Sequence, residues 1–494
     1  MLPAVDVIVL VTYLAAVVGV GLWFARRHGN PDDYMAASRS MPGWAVGLSM
    51  FGSYVSSISF LANPGKAYAD NWNPFVFSIA TPIAAAIAVR WFVPFYRRTG
   101  AISAYEHLEH RFGPWARTYA VVCFLLYQMA RTGTVVYLLA LAVAPLTGWK
   151  VSTTILLTGA LMTVYTLAGG IKAVVWTGVL QSAVLVLGTL VCVAAVVFKT
   201  PGGVGEIIQV GAAQHKFGLG DFGASLTEST FWVVFAYGLV INLGNFAVDQ
   251  SYVQRYITAR SDREAAISVW MTALLYVPVA AVFFFIGTSL YVFYGSQPLL
   301  LDGVTAADKV FPHFFATQLP AGMAGLVVAA IFAASMDSNL NSMATLTLCD
   351  VYRRYFRPNA DRRESMAVLY LSTLFWGLAG TALAFGMIRV GSALDAWWNL
   401  AGIFSGGVLG LFLLGMLSRR ANHVAGAVAV VIGALVIVWM VLPQLFDVPP
   451  ALRNPLHANL TIVVGTLTIF FVGLLVSRLR VGAPPSNAID ARYN

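Results

Sequence analysis

The chain has 494 residues, 59% of them hydrophobic and only 10% charged, with a net charge of +9. Soluble domains carry about a quarter charged residues, so these few polar side chains cannot cover so apolar a core, and a soluble globular protein, a disordered chain and a coiled coil are excluded. What remains is an all-α polytopic membrane protein, in which lipid replaces the missing polar surface and the backbone satisfies itself as helices.

Apolar runs of about 20 residues, each able to cross about 30 Å of hydrocarbon, recur from end to end. Thirteen are counted, and they are called span one to span thirteen: 4–25, 43–69, 74–96, 116–147, 152–168, 171–198, 230–250, 264–294, 321–350, 364–388, 394–417, 421–442 and 457–479. The first has no basic segment before it and ends in Arg26-Arg27, which reads as a stop-transfer flank rather than a signal peptide. The N-terminus is then outside and the C-terminal tail cytoplasmic. Loop charge agrees: on that orientation 22 of the 30 basic residues fall inside and seven outside, as cytoplasmic loops require. The remaining one, Arg131, lies mid-span. The stretch 104–112 has the spacing of an interfacial helix. The outside loops 199–229 and 295–320 have room for short helices. The three cysteines form neither a disulfide framework nor a zinc spacing.

Transport sites form where helices break near the bilayer midplane. Span two is hydroxyl-rich around Gly52, and span seven carries Gly238, Asn242, Gly244 and Asn245. The two positions correspond after a shift of about 187 residues, which predicts two inverted five-span repeats, 43–198 and 230–417. Residues 1–42 then add one outer helix, 199–229 an external loop, and 418–494 two further helices with a short tail. Close packing of small residues is the competing explanation for these glycines.

Charges at mid-bilayer are costly and mark function. Arg131 in span four and Asp337 in span nine are the two deep ones. Either they form a buried ion pair, or Arg131 meets an anionic substrate while Asp337 meets a small cation, guanidinium suiting carboxylate and hard cations wanting oxygen. All histidines lie in loops or at span ends, and no nucleophile elbow, HExxH or phosphate loop occurs, so an enzyme is not expected.

Several ordered motifs carry a resemblance. Pro42 to Phe51, Ser56 to Phe60, Pro64 to Tyr68, Ser103 to Glu106, Gly169-Gly170-Ile171 with Val175-Trp176-Thr177, Asp249-Gln250 with Val253 to Tyr256, Asp337 to Ser342, and Gly406-Gly407 with Gly410 and Gly415-Met416 together resemble the sodium:solute symporter family, most of all its bacterial sialic acid transporters. The resemblance implies a leucine-transporter-type fold and import of a small organic acid driven by one or two sodium ions through alternating access. Carried over, it implies a sodium site of Gly52, Val55, Ile331, Ala334 and Ser335. Ala334 offers no hydroxyl where the family usually has Ser. A second sodium site would use a carboxylate at position 178, where this chain has Gly, with span-nine positions that are here Asp337 and Ser338; either the charge has moved to Asp337 or one sodium binds. The substrate positions are Ser56, Ser59, Ser78 and Arg131, with Tyr54 and Phe75 nearby; Ser78 stands where the sialic acid type has Gln. A passive pore or nutrient sensor built on the same bundle is the alternative.

Overall fold

The computed structural model describes residues 3–25, 37–100, 102–301, 304, 306–335, 339–390, 392–445, 448–449 and 453–479. Among them every regular element is helical. Eight helices are long and apolar enough to cross a membrane, and eleven if each of three bent helix pairs counts as one span. Runs one and five are helical but offer shorter apolar stretches, Ala4–Val20 and Val151–Val164, so length and composition alone stop at eleven rather than thirteen.

Burial sorts these helices. Of the most apolar window, 87% is buried in Met323–Phe356 and 78% in Pro114–Ala144, against 39% in Ile171–Lys199 and Arg362–Arg389. Spans nine and four therefore form the centre, and spans six and ten turn much of their surface to lipid. The central spans are those that carry Ser335 and Arg131.

Three spans break. Span two consists of Gly43–Tyr54 and Ile58–Ala69, bent by 53°. Its first half, labelled inner on the orientation expected from loop charge, ends where Val55 donates to the Phe51 carbonyl, and Ser56 accepts from the Ile58 amide at 3.2 Å as the chain turns helical again into the second, outer half. The break is thus three residues beyond Gly52, which lies inside the helix. A Cβ on Gly52 would come within 2.6 Å of Ser182 Oγ, and one on Gly178 within 2.9 Å of the Ser49 Cα. These glycines let spans two and six approach closely, which is the packing role.

Span seven is corrected in the same way. Phe231–Ala247 runs unbroken through Gly238 and Asn242 to Asn245, and the 50° bend falls between it and Gln250–Tyr256. Gly238 is a contact glycine against the Phe77 backbone, where a Cβ would meet the Phe77 Cα at 2.8 Å. The helix restarts because the Asp249 carboxylate accepts from the Ser251 amide at 2.7 Å, a side-chain N-cap. Span eleven breaks as well, by 42° between Ala393–Phe404 and Val408–Leu417. Gly406 and Gly407 occupy left-handed φ values of 55° and 66° there, which glycine adopts without steric cost.

Two outer contacts hold the broken elements. Lys216, from the segment 199–229 that also contains the helix Gly203–Ala213, donates to the carbonyls of Tyr68 and Asp70 at 2.8 and 2.9 Å and lies over the Tyr291 ring. It caps the outer end of span two, where orphan carbonyls and the helix dipole favour a cation. Asp6 of span one is buried and accepts from the amides of Gly322 and Gly325 at 2.7 and 2.6 Å. It thereby caps the start of Met323–Ser335.

Candidate functional site

The break of span two opens onto a buried cavity. The space open to the centre of a water-sized sphere is about 70 Å³. Tyr54, Ser56, Ser59, Ser78 and Arg131 line it, five of the six expected substrate residues. Phe75 is absent from the lining; its ring packs on Trp72 and Phe284 instead. Asn63, Tyr127, Asn245, Tyr252, Tyr276, Trp397 and Trp398 also line the cavity and were not singled out as substrate contacts. Asn245 had a signal, an amide at mid-depth in span seven. The tandem Trp397-Trp398 had none, because aromatic residues in an apolar run read as ordinary core.

Arg131 is 6% exposed, and its Nη2 donates to the Ser53 carbonyl at 2.6 Å. Among the described residues, the other polar members of the cavity that holds its guanidinium are hydroxyls, amides, phenols and indoles. Tyr54 bonds Asn242 and accepts from Asn245 Nδ2 at 3.3 Å, so the broken spans two and seven are joined at the cavity floor. The tilted pair Tyr127–Trp397 and the stacked pair Phe77–Trp398 form an aromatic wall. The arrangement suits an anion: a fork of guanidinium donors with hydroxyls from Ser56 and Ser59 beside it.

The expected cation ligands are distributed as follows. Gly52 and Val55 lie at the end of the inner half of span two, where final carbonyls lack helical partners. Ile331, Ala334 and Ser335 are fully buried on span nine, and the two helices touch. Ser335 Oγ donates to the Ile331 carbonyl at 2.7 Å, which leaves its lone pairs free to face a cation. Asp337 and Ser338 lie outside the described residues, and so does any Arg131–Asp337 pair. Among the described residues no cluster of three His, Cys, Asp or Glu side chains exists.

Ion pairs close both ends. At one end, Lys66 of span two reaches Asp395 of span eleven at 3.1 Å and Asp70 at 3.3 Å. At the other, Arg117 bonds Asp350 and reaches Glu109 at 3.0 Å, Arg354 also bonds Glu109, and Ser103 donates to Asp350 at 2.8 Å. The hydrogen bond from Arg354, with help from Arg117, holds the Glu109 carboxyl below its usual pKa. Gln250 grips the same segment from span seven, accepting from the Ala104 amide at 2.7 Å.

Comparison with known proteins follows this geometry. The profile of the sodium:solute symporter family matches residues 34–434. The chain belongs to the sodium:solute symporter family. It is 32% identical to the sodium/sialic acid symporter NanT of Aliivibrio fischeri over 98% of this chain and 95% of that protein. It is 34% identical to the sodium/sialic acid symporter SiaT of Proteus mirabilis, over 87% of this chain and 88% of the relative. The solved substrate-bound, outward-open structure of a Na+-coupled sialic acid symporter superposes with a TM-score of 0.90 at 30% identity, covering 98% of this chain and 99% of that one. The fold is of the leucine-transporter type, and the chain is a sodium-coupled membrane symporter working by alternating access, not an enzyme.

Proposed function

We propose that the chain imports an acidic sugar of the sialic acid class together with sodium, the N-terminus lying outside and the C-terminus in the cytoplasm. The observation that carries the substrate is Arg131, a buried guanidinium in the wall of a cavity shared with Ser56 and Ser59. The substrate carboxylate meets Arg131 and the two hydroxyls. Its own hydroxyls meet Ser78, Asn63 and Asn245, and the apolar face of its ring lies on Trp397 and Trp398. The two sialic acid symporters that resemble the chain along most of its length support this assignment.

Sodium is held by the carbonyls of Gly52, Val55, Ile331 and Ala334 and by the Ser335 hydroxyl; Asp337 with Ser338 would hold a second ion. The break then serves both charges. The inner half of span two ends in carbonyls and draws the cation, while Arg131 and the hydroxyls of Ser56 and Ser59 draw the anion. Each bound charge lowers the cost of the other, which is coupling in physical terms. The repeat limits 43–198 and 230–417 belong to the same proposal, each repeat opening with a broken span.

Reconstitution into liposomes tests it. Uptake of labelled sialic acid should require an inward sodium gradient and be competed by unlabelled sialic acid. Uptake without sodium would favour a passive pore, binding without uptake a sensor, and competition only by small monocarboxylates a smaller acid.

A further inference from the structure

Two guanidiniums converge on one residue of the broken span two. Arg131, from span four, takes the Ser53 carbonyl. Arg255, from the inner half of span seven, donates through Nη1 to Ser53 Oγ at 2.5 Å and to the Ser49 carbonyl at 3.0 Å. Arg255 is 1% exposed, among the largest fully buried side chains of the protein, and it is not part of the substrate cavity wall. Its charge lies at depth outside that cavity wall, so its reason for being there lies in its other contacts.

The atoms it holds indicate that reason. A serine inside a helix tends to fold its hydroxyl back onto the carbonyl four residues earlier, which bends the helix. For Ser53 that carbonyl is Ser49, and Arg255 binds both members of this potential pair. It therefore decides how the last turn of the inner half of span two is wound. Gly52 lies one residue before Ser53 and Val55 two residues after it. The carbonyls that would face sodium are thus set by the turn that Arg255 grips, and the grip comes from the other broken span.

We propose that Arg255 is a positioning residue for sodium: it fixes the end carbonyls of span two and ties the inner halves of spans two and seven into one moving unit. This rests on the sodium site assigned above. Sodium affinity should depend on Arg255 more than substrate affinity does, because Arg255 holds the turn that carries the sodium carbonyls and is not in the cavity wall.

The test compares Arg255→Gln, Arg255→Lys and Ser53→Ala with Ser335→Ala in the purified full chain. Sodium titrations are read by intrinsic tryptophan fluorescence, and sialic acid affinity is read at saturating sodium. Arg255→Gln should raise half-saturating sodium at least about tenfold, the scale of one lost hydrogen bond to a charged group, while substrate affinity at saturating sodium holds. Arg255→Lys should lie between, having charge without the fork. Ser53→Ala should move sodium in the same direction by less. If Ser335→Ala responds to sodium like the parent, the site assignment itself fails. If Ser335→Ala weakens sodium and the Arg255 variants do not, the role of Arg255 is overturned. A merely structural role would lower the melting temperature and leave the sodium midpoint alone. Should Arg255→Gln fail to fold, an unchanged sodium midpoint in Ser53→Ala overturns the proposal equally.

Discussion

Lys66 and Asp395 meet at 3.1 Å, joining the outer half of span two to the start of span eleven. Their side chains are 28% and 50% exposed, so the pair belongs to the weak, screened class worth up to about 1 kcal/mol. Asp395→Asn should accelerate access from outside, by no more than about fivefold for that energy, and parental substrate on-rates at low salt would show the pair inert. The Arg117–Asp350 pair differs. Asp350 has no exposed side-chain surface, and Arg117→Ala would strand it, a loss of about 3–5 kcal/mol when one partner of a buried pair is removed. That variant should lower the melting temperature markedly, whereas Asp395→Asn should barely move it.

Arg131→Ala should weaken binding of anionic substrate, because the cavity loses its guanidinium donors. The loss of a charge-assisted fork is worth about 1.5–3 kcal/mol, or roughly one to two decades of affinity. Arg131→Lys should recover only part of it, since an ammonium cannot bind a carboxylate through two parallel bonds. Calorimetry of sialic acid binding at fixed sodium decides this, and an unchanged affinity would remove the guanidinium from the site.

Ala334→Ser should tighten sodium. The position is 1% exposed and adjoins Ser335, so an added hydroxyl offers the oxygen the family usually supplies there. Half-saturating sodium should fall, by up to about tenfold for one good oxygen ligand. A rise would mean that residue 334 faces away from the ion.

His107 makes the protein acid-sensitive. It lies in the helix Glu106–Phe112, packed on the rings of Phe95 and Phe412, and burial, with Arg111 and His110 close by, lowers its pKa to about 3. The unfolded chain takes up that proton near pH 6.5 and the folded one does not, so the unfolded state binds more protons in between. Stability from this group is complete above about pH 6.5 and falls by about 1.4 kcal/mol per pH unit as the pH drops towards 3. His107→Leu should flatten the acid limb of a melting-temperature profile between pH 6.5 and 4.5; an unchanged slope would show that His107 protonates in place.

The sequence made the membrane architecture legible because lipid leaves the backbone few options, and hydrophobic length reports directly on spans. Arg131 was equally legible, since a charge at mid-depth has a cost that composition reveals. The breaks were misplaced because glycine has two uses. Gly52 and Gly238 serve helix contact, whereas the chain actually turns at Val55–Ser56 and at Val248–Asp249, where a hydroxyl and a carboxylate restart the helix. The third break needed the left-handed pair Gly406-Gly407, which local sequence cannot distinguish from packing glycines. Arg255 is one of the 22 basic residues that loop charge assigns to the inside, since a basic residue a few positions past an apolar run looks like a loop residue. Only the bend in span seven carries it back into the interior.

Asp6 has a consequence for how the molecule is made. Its carboxylate serves amides 316 and 319 positions further along the chain. During synthesis that partner does not exist until span nine has left the ribosome, so span one waits in the bilayer with an acidic group it cannot yet satisfy. At several residues per second the wait lasts from tens of seconds to about a minute. Nascent chains that stall before residue 325 therefore display an uncapped carboxylate at the membrane surface, a feature by which quality control could tell an unfinished transporter from a finished one.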